Sequence, residues 1–210
     1  MIEVFTGTPG SGKSAHAARC IRYALTRPGV KRPVIANFPL GKDAPIDDAA
    51  RDLYHYMPNE QMSAGRIIDF ACDYWDSGVK DFREDWILLV LDECQLFFNS
   101  RRWSDKSRMS YLEFLSQSRK YGVKVLLITQ SAKMIDNQFR MLIEVENNHR
   151  RISSMGPVGA ILALPFAGRL SLNVRYLFQS NERLGMDLML PNKRDFAMYD
   201  SYARFDRIEG

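Results

Sequence analysis

Near the start of the chain, Gly7-Thr8-Pro9-Gly10-Ser11-Gly12-Lys13-Ser14 places a lysine and a hydroxyl after a turn punctuated by glycine. Glycines let the backbone curl so that successive N–H groups face one point, which is what a row of phosphate oxygens needs. The spacing fits G-x-x-x-x-G-K-[ST] at every fixed position, the Walker A pattern. In that arrangement the backbone from Gly7 to Ala15 cradles the phosphates and Lys13 reaches the β- and γ-phosphates. The Ser14 hydroxyl ligates Mg²⁺, and the helix that follows adds its positive end. The expected ligand is ATP with Mg²⁺.

A second set of residues supplies the complementary chemistry. The apolar run Ile87-Leu88-Leu89-Val90-Leu91 ends in Asp92-Glu93, the form of a Walker B strand. Asp92 is expected to hold the Mg²⁺ shell, and Glu93 to orient or deprotonate the attacking water. Thr129-Gln130 closes a further apolar run, and Gln130 is expected to contact the γ-phosphate or that water. Phosphoryl transfer also needs a positive charge opposite the γ-phosphate, which a ring of subunits supplies in trans. Arg119 is the first candidate, with Arg101, Arg102 and Arg108 behind it and Arg140, Arg150 and Arg151 further back.

Elements must carry these groups to one place. Residues 2–6 read as a strand entering the loop. Residues 14–26 read as a helix, with Ala17, Ala18, Ile21, Ala24 and Leu25 at helical spacing before Pro28-Gly29. Strands are expected at 33–38, 86–91, 123–129 and 141–145, and helices at 62–75 and 110–121, the latter closed by Gly122. Alternating strands and helices predict an α/β P-loop NTPase, its sheet mostly parallel and covered by helices on both faces. The long stretch between Lys13 and Asp92 holds its own strand and helix, so an additional strand is expected between the Walker A and Walker B strands. Beyond the core, residues 1–152, a short extension at 153–210 is expected, with strands at 160–164 and 170–178 around Phe166-Ala167-Gly168. Its aromatic residues Phe196, Tyr199, Tyr202 and Phe205 are expected to pack on the core.

Composition excludes several classes. In 210 residues, 46% are hydrophobic and 26% charged, the profile of a globular chain rather than a disordered one. The net charge of +4 permits nucleic acid or an anionic surface as a partner without demanding either. Mixed clusters such as Arg101-Arg102-Trp103, Lys106 with Arg108, and Arg119-Lys120 could track a strand backbone, although average solvated loops have the same makeup. Cys20, Cys72 and Cys94 are far apart and odd in number, which argues against a disulfide framework or zinc site. His16, His55 and His149 lack metal-ligand spacing. A cleaved leader is not expected, because Met1 to Phe5 run straight into the glycine loop, and the weakly polar run 156–168 is short of the roughly 20 residues that cross a bilayer. Asn192-Lys193-Arg194-Asp195 matches the guanine-reading Asn-Lys-x-Asp. Pro191 interrupts its approach, however, and Asp92-Glu93-Cys94-Gln95 lacks the glycine of a GTPase switch.

Taken together, residues 2–14, Asn37-Phe38-Pro39-Leu40, Leu91 to Gln95, Arg119 with Gly122, and Leu127-Ile128-Thr129-Gln130 resemble the N-terminal domain of zonula occludens toxin-like proteins. The resemblance is good through about residue 150 and loose beyond. These are assembly and export ATPases of filamentous phages, so it implies a homo-oligomeric ring, a hexamer, related to DNA translocases. It also implies single-stranded DNA or phage coat and assembly proteins as partners, at the cytoplasmic face of the host inner membrane. The chain departs from the family at Ser118 and Lys120, where family members commonly carry histidines. It also shows no transmembrane helix of its own, so membrane association is expected through a further segment or a partner. A small-molecule kinase and a nucleotide-dependent scaffold are the competing readings; Glu93 and Gln130 favour hydrolysis over both.

Overall fold

The computed structural model describes residues 1–78, 81–98, 105–190 and 192–198. In chain order the elements are β1 (Ile2–Thr6), α1 (Lys13–Thr26), β2 (Val34–Ala36), α2 (Asp48–Arg51), β3 (Tyr54–Tyr56), α3 (Ala64–Asp76) and β4 (Ile87–Leu91). There follow α4 (Asp105–Gln117), β5 (Val123–Ile128), α5 (Asn137–Arg140), β6 (Val145–Arg151), α6 (Gly156–Ala163), β7 (Ser171–Leu177), β8 (Arg183–Met189) and α7 (Lys193–Ala197). Among the described residues these strands form one eight-stranded sheet in the order β3-β2-β4-β5-β1-β6-β7-β8. The first six in that order, β3 to β6, run parallel; β7 and β8 return antiparallel.

The sequence patterns explain this architecture. Every residue of β4 is buried, as a parallel strand covered on both faces requires. On one face Val4, Leu89, Leu91 and Leu127 meet Ile67 and Ala71 of α3 and Phe114 and Leu115 of α4. On the other, Phe5, Val90 and Leu126 meet Ala17, Ala18, Ile21 and Leu25 of α1. Burying a side chain such as Ile21 or Leu25 contributes about 1.5–3 kcal/mol, so the apolar stripe docks this helix more than propensity does. A short 3-10 turn after α4 ends at Gly122, whose φ of 67° is left-handed. A Cβ there would lie 2.6 Å from the Trp75 ring and 2.7 Å from the Arg83 carbonyl oxygen.

An additional strand does separate the Walker A and Walker B strands, and it is β5. The two strands between them in sequence, β2 and β3, lie on the far side of β4. Two expectations need correction. The strand read at 141–145 begins only at Val145 and continues to Arg151. Its buried members past Val145 are Asn147 and His149, so a search for apolar alternation stops where the strand starts. The strand read at 160–164 is helical, in α6 and the 3-10 turn that follows it, and β7 pairs antiparallel with β8. Pro157 sits in the first turn of α6, a position proline favours, and a short apolar run does not distinguish strand from helix.

The segment after residue 153 returns to the first helix. Asn192 caps α7 by accepting from the Asp195 backbone N–H at 2.8 Å, and the Asp195 carboxylate accepts from the Asn192 backbone at 3.3 Å. The same fully buried carboxylate pairs with Arg19 at 3.2 Å and with Arg22 at 2.9 Å, both on α1. Asp195 is thus an anchor, with both oxygens taken, and the Asn-Lys-x-Asp run is a helix cap. Contrary to expectation, Phe196 does not pack on the core: it is 51% exposed, and Met198 fills the buried position instead. Tyr199, Tyr202 and Phe205 lie outside the described residues. Removing one member of a buried ion pair costs about 3–5 kcal/mol, and here the low end applies because both guanidinium groups reach solvent. Asp195→Ala is therefore expected to lose about 3 kcal/mol of stability, read as a lower urea midpoint with unchanged slope.

Candidate active site

The phosphate loop leaves the carboxyl end of β1 and delivers α1. Gly7, Gly10 and Gly12 have φ of 136°, 74° and 99°, so the turn depends on residues without a side chain. Space makes the same demand. A Cβ on Gly7 would lie 2.2 Å from the His149 carbonyl oxygen, and one on Gly12 would lie 2.8 Å from Ser171 Oγ. Within the loop, Ser11 Oγ is buried and has no hydrogen-bond partner. Lys13 Nζ donates to the loop's own carbonyls, Gly7 O at 2.6 Å and Thr8 O at 3.0 Å. A cationic head folded back on its loop, glycines crowded from outside and an orphaned buried hydroxyl together fit a polyphosphate cradle.

The acidic pair stands where β4 ends. Asp92 is buried, and Asn37 holds its backbone from both sides. The Asn37 side chain accepts from the Asp92 N–H at 2.8 Å and donates to the Asp92 carbonyl at 2.9 Å and to Asn59 at 2.8 Å. Sequence reading gave Asn37 no chemical role; its signals were its place in the Asn37-Phe38-Pro39-Leu40 run that carries the family resemblance and a polar side chain within an apolar strand. Glu93 takes a left-handed backbone, φ 50°, and its N–H donates to Asp92 Oδ1 at 2.8 Å. The Glu93 carboxylate in turn accepts from Gln95 Nε2. Burial pushes the Lys13 ammonium below its ordinary pKa, while the nearby Glu93 and Asp92 charges oppose that shift. Because β1, β5 and β4 run parallel side by side, the loop bearing Lys13 and the pair Asp92-Glu93 leave the sheet at the same end. Ser14 and Asp92 are the residues that would hold Mg²⁺. Two protein oxygens suit an ion that keeps several waters and takes phosphate oxygens.

Gln130 is exposed at the carboxyl end of β5, and its carbonyl accepts from the Gly7 N–H at 3.2 Å. It shares an open cleft of about 980 Å³ with Thr6, Gly7, Thr8, Arg140 and Arg150. Arg119 is elsewhere. It precedes β5 and pairs at 2.7 Å with Glu144, whose other oxygen accepts from the Ile2 backbone at the start of β1. With about 3.3 Å per strand residue, β1 puts roughly 15 Å between that end and the phosphate loop. Arg108 is engaged with Asp136 at 2.9 Å. Arg101, Arg102 and Trp103 lie outside the described residues, as does the side chain of Lys106.

Behind the loop is a pair of histidines in which sequence reading saw only the lack of metal-ligand spacing. His16 Nδ1 and His149 Nε2 are 2.8 Å apart, and Phe5 stacks on His16 with ring centroids 4.5 Å apart. His149 Nδ1 lies 3.3 Å from the Thr6 carbonyl, which can only accept. That assigns the proton on His149 to Nδ1, leaves Nε2 as the acceptor, and makes His16 Nδ1 the donor. Burial depresses both rings: His16, beside Arg19 and Arg175, to about 4, and His149, beside His16, to about 3.

The sign of the pH effect follows. Above pH about 6.5 both histidines are neutral, folded or unfolded; below it the unfolded chain takes up protons that the folded chain refuses until about 4 and 3. Stability attributable to the pair is complete at neutral pH and falls as pH drops, by up to about 1.4 kcal/mol per pH unit per histidine. Urea midpoints of the wild type should fall more steeply between pH about 7 and about 5 than those of a His16→Gln/His149→Gln variant. Parallel slopes would show that the pair does not titrate this way.

Comparison with known proteins places this geometry. The family model described as zonular occludens toxin (Zot) matches residues 1–205, well past the point where sequence likeness was expected to fade. The Gene 1 protein of Salmonella phage IKe is 39% identical over 184 residues, covering 81% of this chain and 46% of that protein. The chain thus spans about half the length of that relative. Among solved structures, the N-terminal domain of zonular occludens toxin from Neisseria meningitidis superposes with a TM-score of 0.56 at 18% identity, covering 95% of this chain and 98% of that one. The DNA-packaging ATPase B204 from Sulfolobus turreted icosahedral virus gives 0.53 at 14% identity, covering 91% and 97%. At those identities the structural likeness speaks for a shared P-loop NTPase fold.

Proposed function

Because the chain belongs to the zonular occludens toxin (Zot) family, we propose that it is a motor ATPase of filamentous phage assembly, extruding single-stranded DNA at the cytoplasmic face of the host inner membrane. The observation that carries the hydrolytic part is the meeting of Lys13, Asp92 and Glu93 beside a glycine loop. The IKe relative named Gene 1 protein and the packaging ATPase with the same fold support the motor reading.

The chemistry follows from the positions. Loop N–H groups and the start of α1 bind the phosphates, and Lys13 exchanges its loop carbonyls for β- and γ-phosphate oxygens. Ser14 and Asp92 would hold Mg²⁺, which would supply positive charge to offset that of the phosphates. Glu93 accepts a proton from water as the water oxygen bonds to the terminal phosphorus and the bond to the bridging oxygen breaks. Gln95 keeps the Glu93 carboxylate from rotating away. In this reading Gln130, at the end of the strand between β1 and β4, orients the water. Among the described residues no helix is long and apolar enough to cross a membrane, so contact with the bilayer is assigned to another segment or a partner.

Purified chain should hydrolyse ATP, faster with single-stranded DNA present. Glu93→Gln should retain nucleotide binding and lose about 10²–10⁴-fold in turnover, since an amide keeps the shape but cannot take the proton. Wild-type turnover in that variant would remove Glu93 from the mechanism.

Arg119 is too far from its own loop to touch the phosphates it holds, and its side chain is 59% exposed, so a catalytic part for it requires a neighbouring subunit. A head-to-tail ring, a hexamer in our reading, would bring it to the next site. Specific activity should then rise with protein concentration by a large factor, a trans arginine being worth roughly 10³–10⁵-fold. Arg119→Ala should abolish the rise and leave nucleotide binding intact. A rise that survives the substitution would assign the trans charge to another arginine.

A further inference from the structure

The phosphate loop has a second neighbour that hydrolysis does not use. Past its outer side lies a cavity of about 360 Å³, walled by Gly10, Lys13, Ala15, Arg151, Arg169 and Phe196. Another hollow, about 380 Å³, lies among Arg169, Lys193 and Phe196, so the two share a wall. Volumes of this order suit small-molecule ligands. Arg151 is held in place: its Nε donates to the Gly168 carbonyl at 3.0 Å, and its guanidinium stands 4.0 Å from where a Cβ on Gly10 would sit.

Phe196 is the unusual member. Its aromatic ring is 51% exposed beside the loop and has a face free for stacking, and the short helix that carries it is not loose. The adjacent residue, Asp195, is fully buried and clamped by two arginines of the phosphate-loop helix itself. The ring is therefore fixed relative to the loop by a rigid link through α1.

We propose that Phe196 and Arg169 form the nucleoside shelf of the site: a purine stacks on the Phe196 ring, and Arg169, which lines the same hollows, closes over it. The inference rests on the nucleotide-binding reading of the loop. A triphosphate lying across residues 7–14 sends its ribose and base past Ser14 and Ala15, where this cavity opens. Every charged side chain along both hollows is cationic: Arg151, Arg169 and Lys193, with Lys13 at the loop end. Such walls favour the face of a base over its edge, through stacking and cation–π attraction. Purines, with the larger face, are preferred over pyrimidines, and Asp195 takes no part in reading them.

The test separates base from phosphate. Calorimetry on the full chain with Mg²⁺ measures affinity for ATP, CTP and inorganic tripolyphosphate. Base–aromatic stacking of about 1–3 kcal/mol corresponds to roughly 5- to 150-fold in affinity. Phe196→Ala should weaken ATP by such a factor, bring ATP and CTP close together, and leave tripolyphosphate unchanged; Phe196→Trp should restore ATP. Phe196 is exposed, so folding is not at stake, and a matched urea midpoint verifies this. Unchanged ATP affinity in Phe196→Ala, or an equal loss for ATP and tripolyphosphate, overturns the shelf while the phosphate site stands. A wild type that binds neither ATP nor tripolyphosphate overturns both, and Lys13→Ala, losing both ligands together, marks the phosphate contribution.

Discussion

The carbonyl oxygen of His149 stands so close to Gly7 that even one added carbon would sit 2.2 Å from it. This approach is what allows the loop to turn its N–H groups inward while β6 presses against it from outside. A polyphosphate is strongly solvated, and only donors fixed in advance recover the lost hydration without further ordering cost. The rigidity has to come from behind. It comes from β6, whose Asn147 and His149 are buried polar residues tied into the sheet. Asn147 donates to Glu3 at 3.1 Å and accepts from Asn173 at 3.1 Å. His149 bonds to Thr6 and to His16 on the first helix. Each replaces an apolar contact by a directional one, and directional contacts fix a register that greasy packing would leave free to slide.

The electrostatics obey the same geometry. An ammonium and two carboxylates share the end of the sheet, and none could be left there alone without a large desolvation cost. Their mutual attraction tempers the burial of Lys13. Asn37, gripping the Asp92 backbone from both sides, fixes the point at which the acidic pair leaves β4. The sheet order contributes too. With β5 inserted between β1 and β4, the acidic pair sits one strand further from the loop than it would beside β1.

Much of this was legible in the residues. The glycine loop, Lys13, Ser14 and the acidic pair after β4 are written in local spacing, because phosphate binding constrains consecutive backbone positions. The parallel strands β1, β4 and β5 announce themselves as apolar runs, being buried on both faces. Illegible parts share a cause. β6 hides because its buried positions are Asn147 and His149, and α6 because proline at its start and an unbroken apolar stretch carry no period. The tie between Asp195 and α1 could not be read at all: charge pairing over such a separation leaves no local trace, and the residues around it imitate a different motif.

That tie also has a meaning in time. Arg19 and Asp195 are 176 residues apart, so the clasp between the first helix and α7 closes nearly the whole described chain into a loop. At a synthesis rate of about 5–20 residues per second, the phosphate loop emerges roughly 10–35 s before its clasp does. During that interval Arg19 and Arg22 have no carboxylate of α7 to meet, and the wall bearing Phe196 does not yet exist. A nascent chain therefore passes through a stage with half of its nucleotide site formed. The entropy of closing so long a loop, which grows only with the logarithm of its length, must be recovered when Asp195 finally docks.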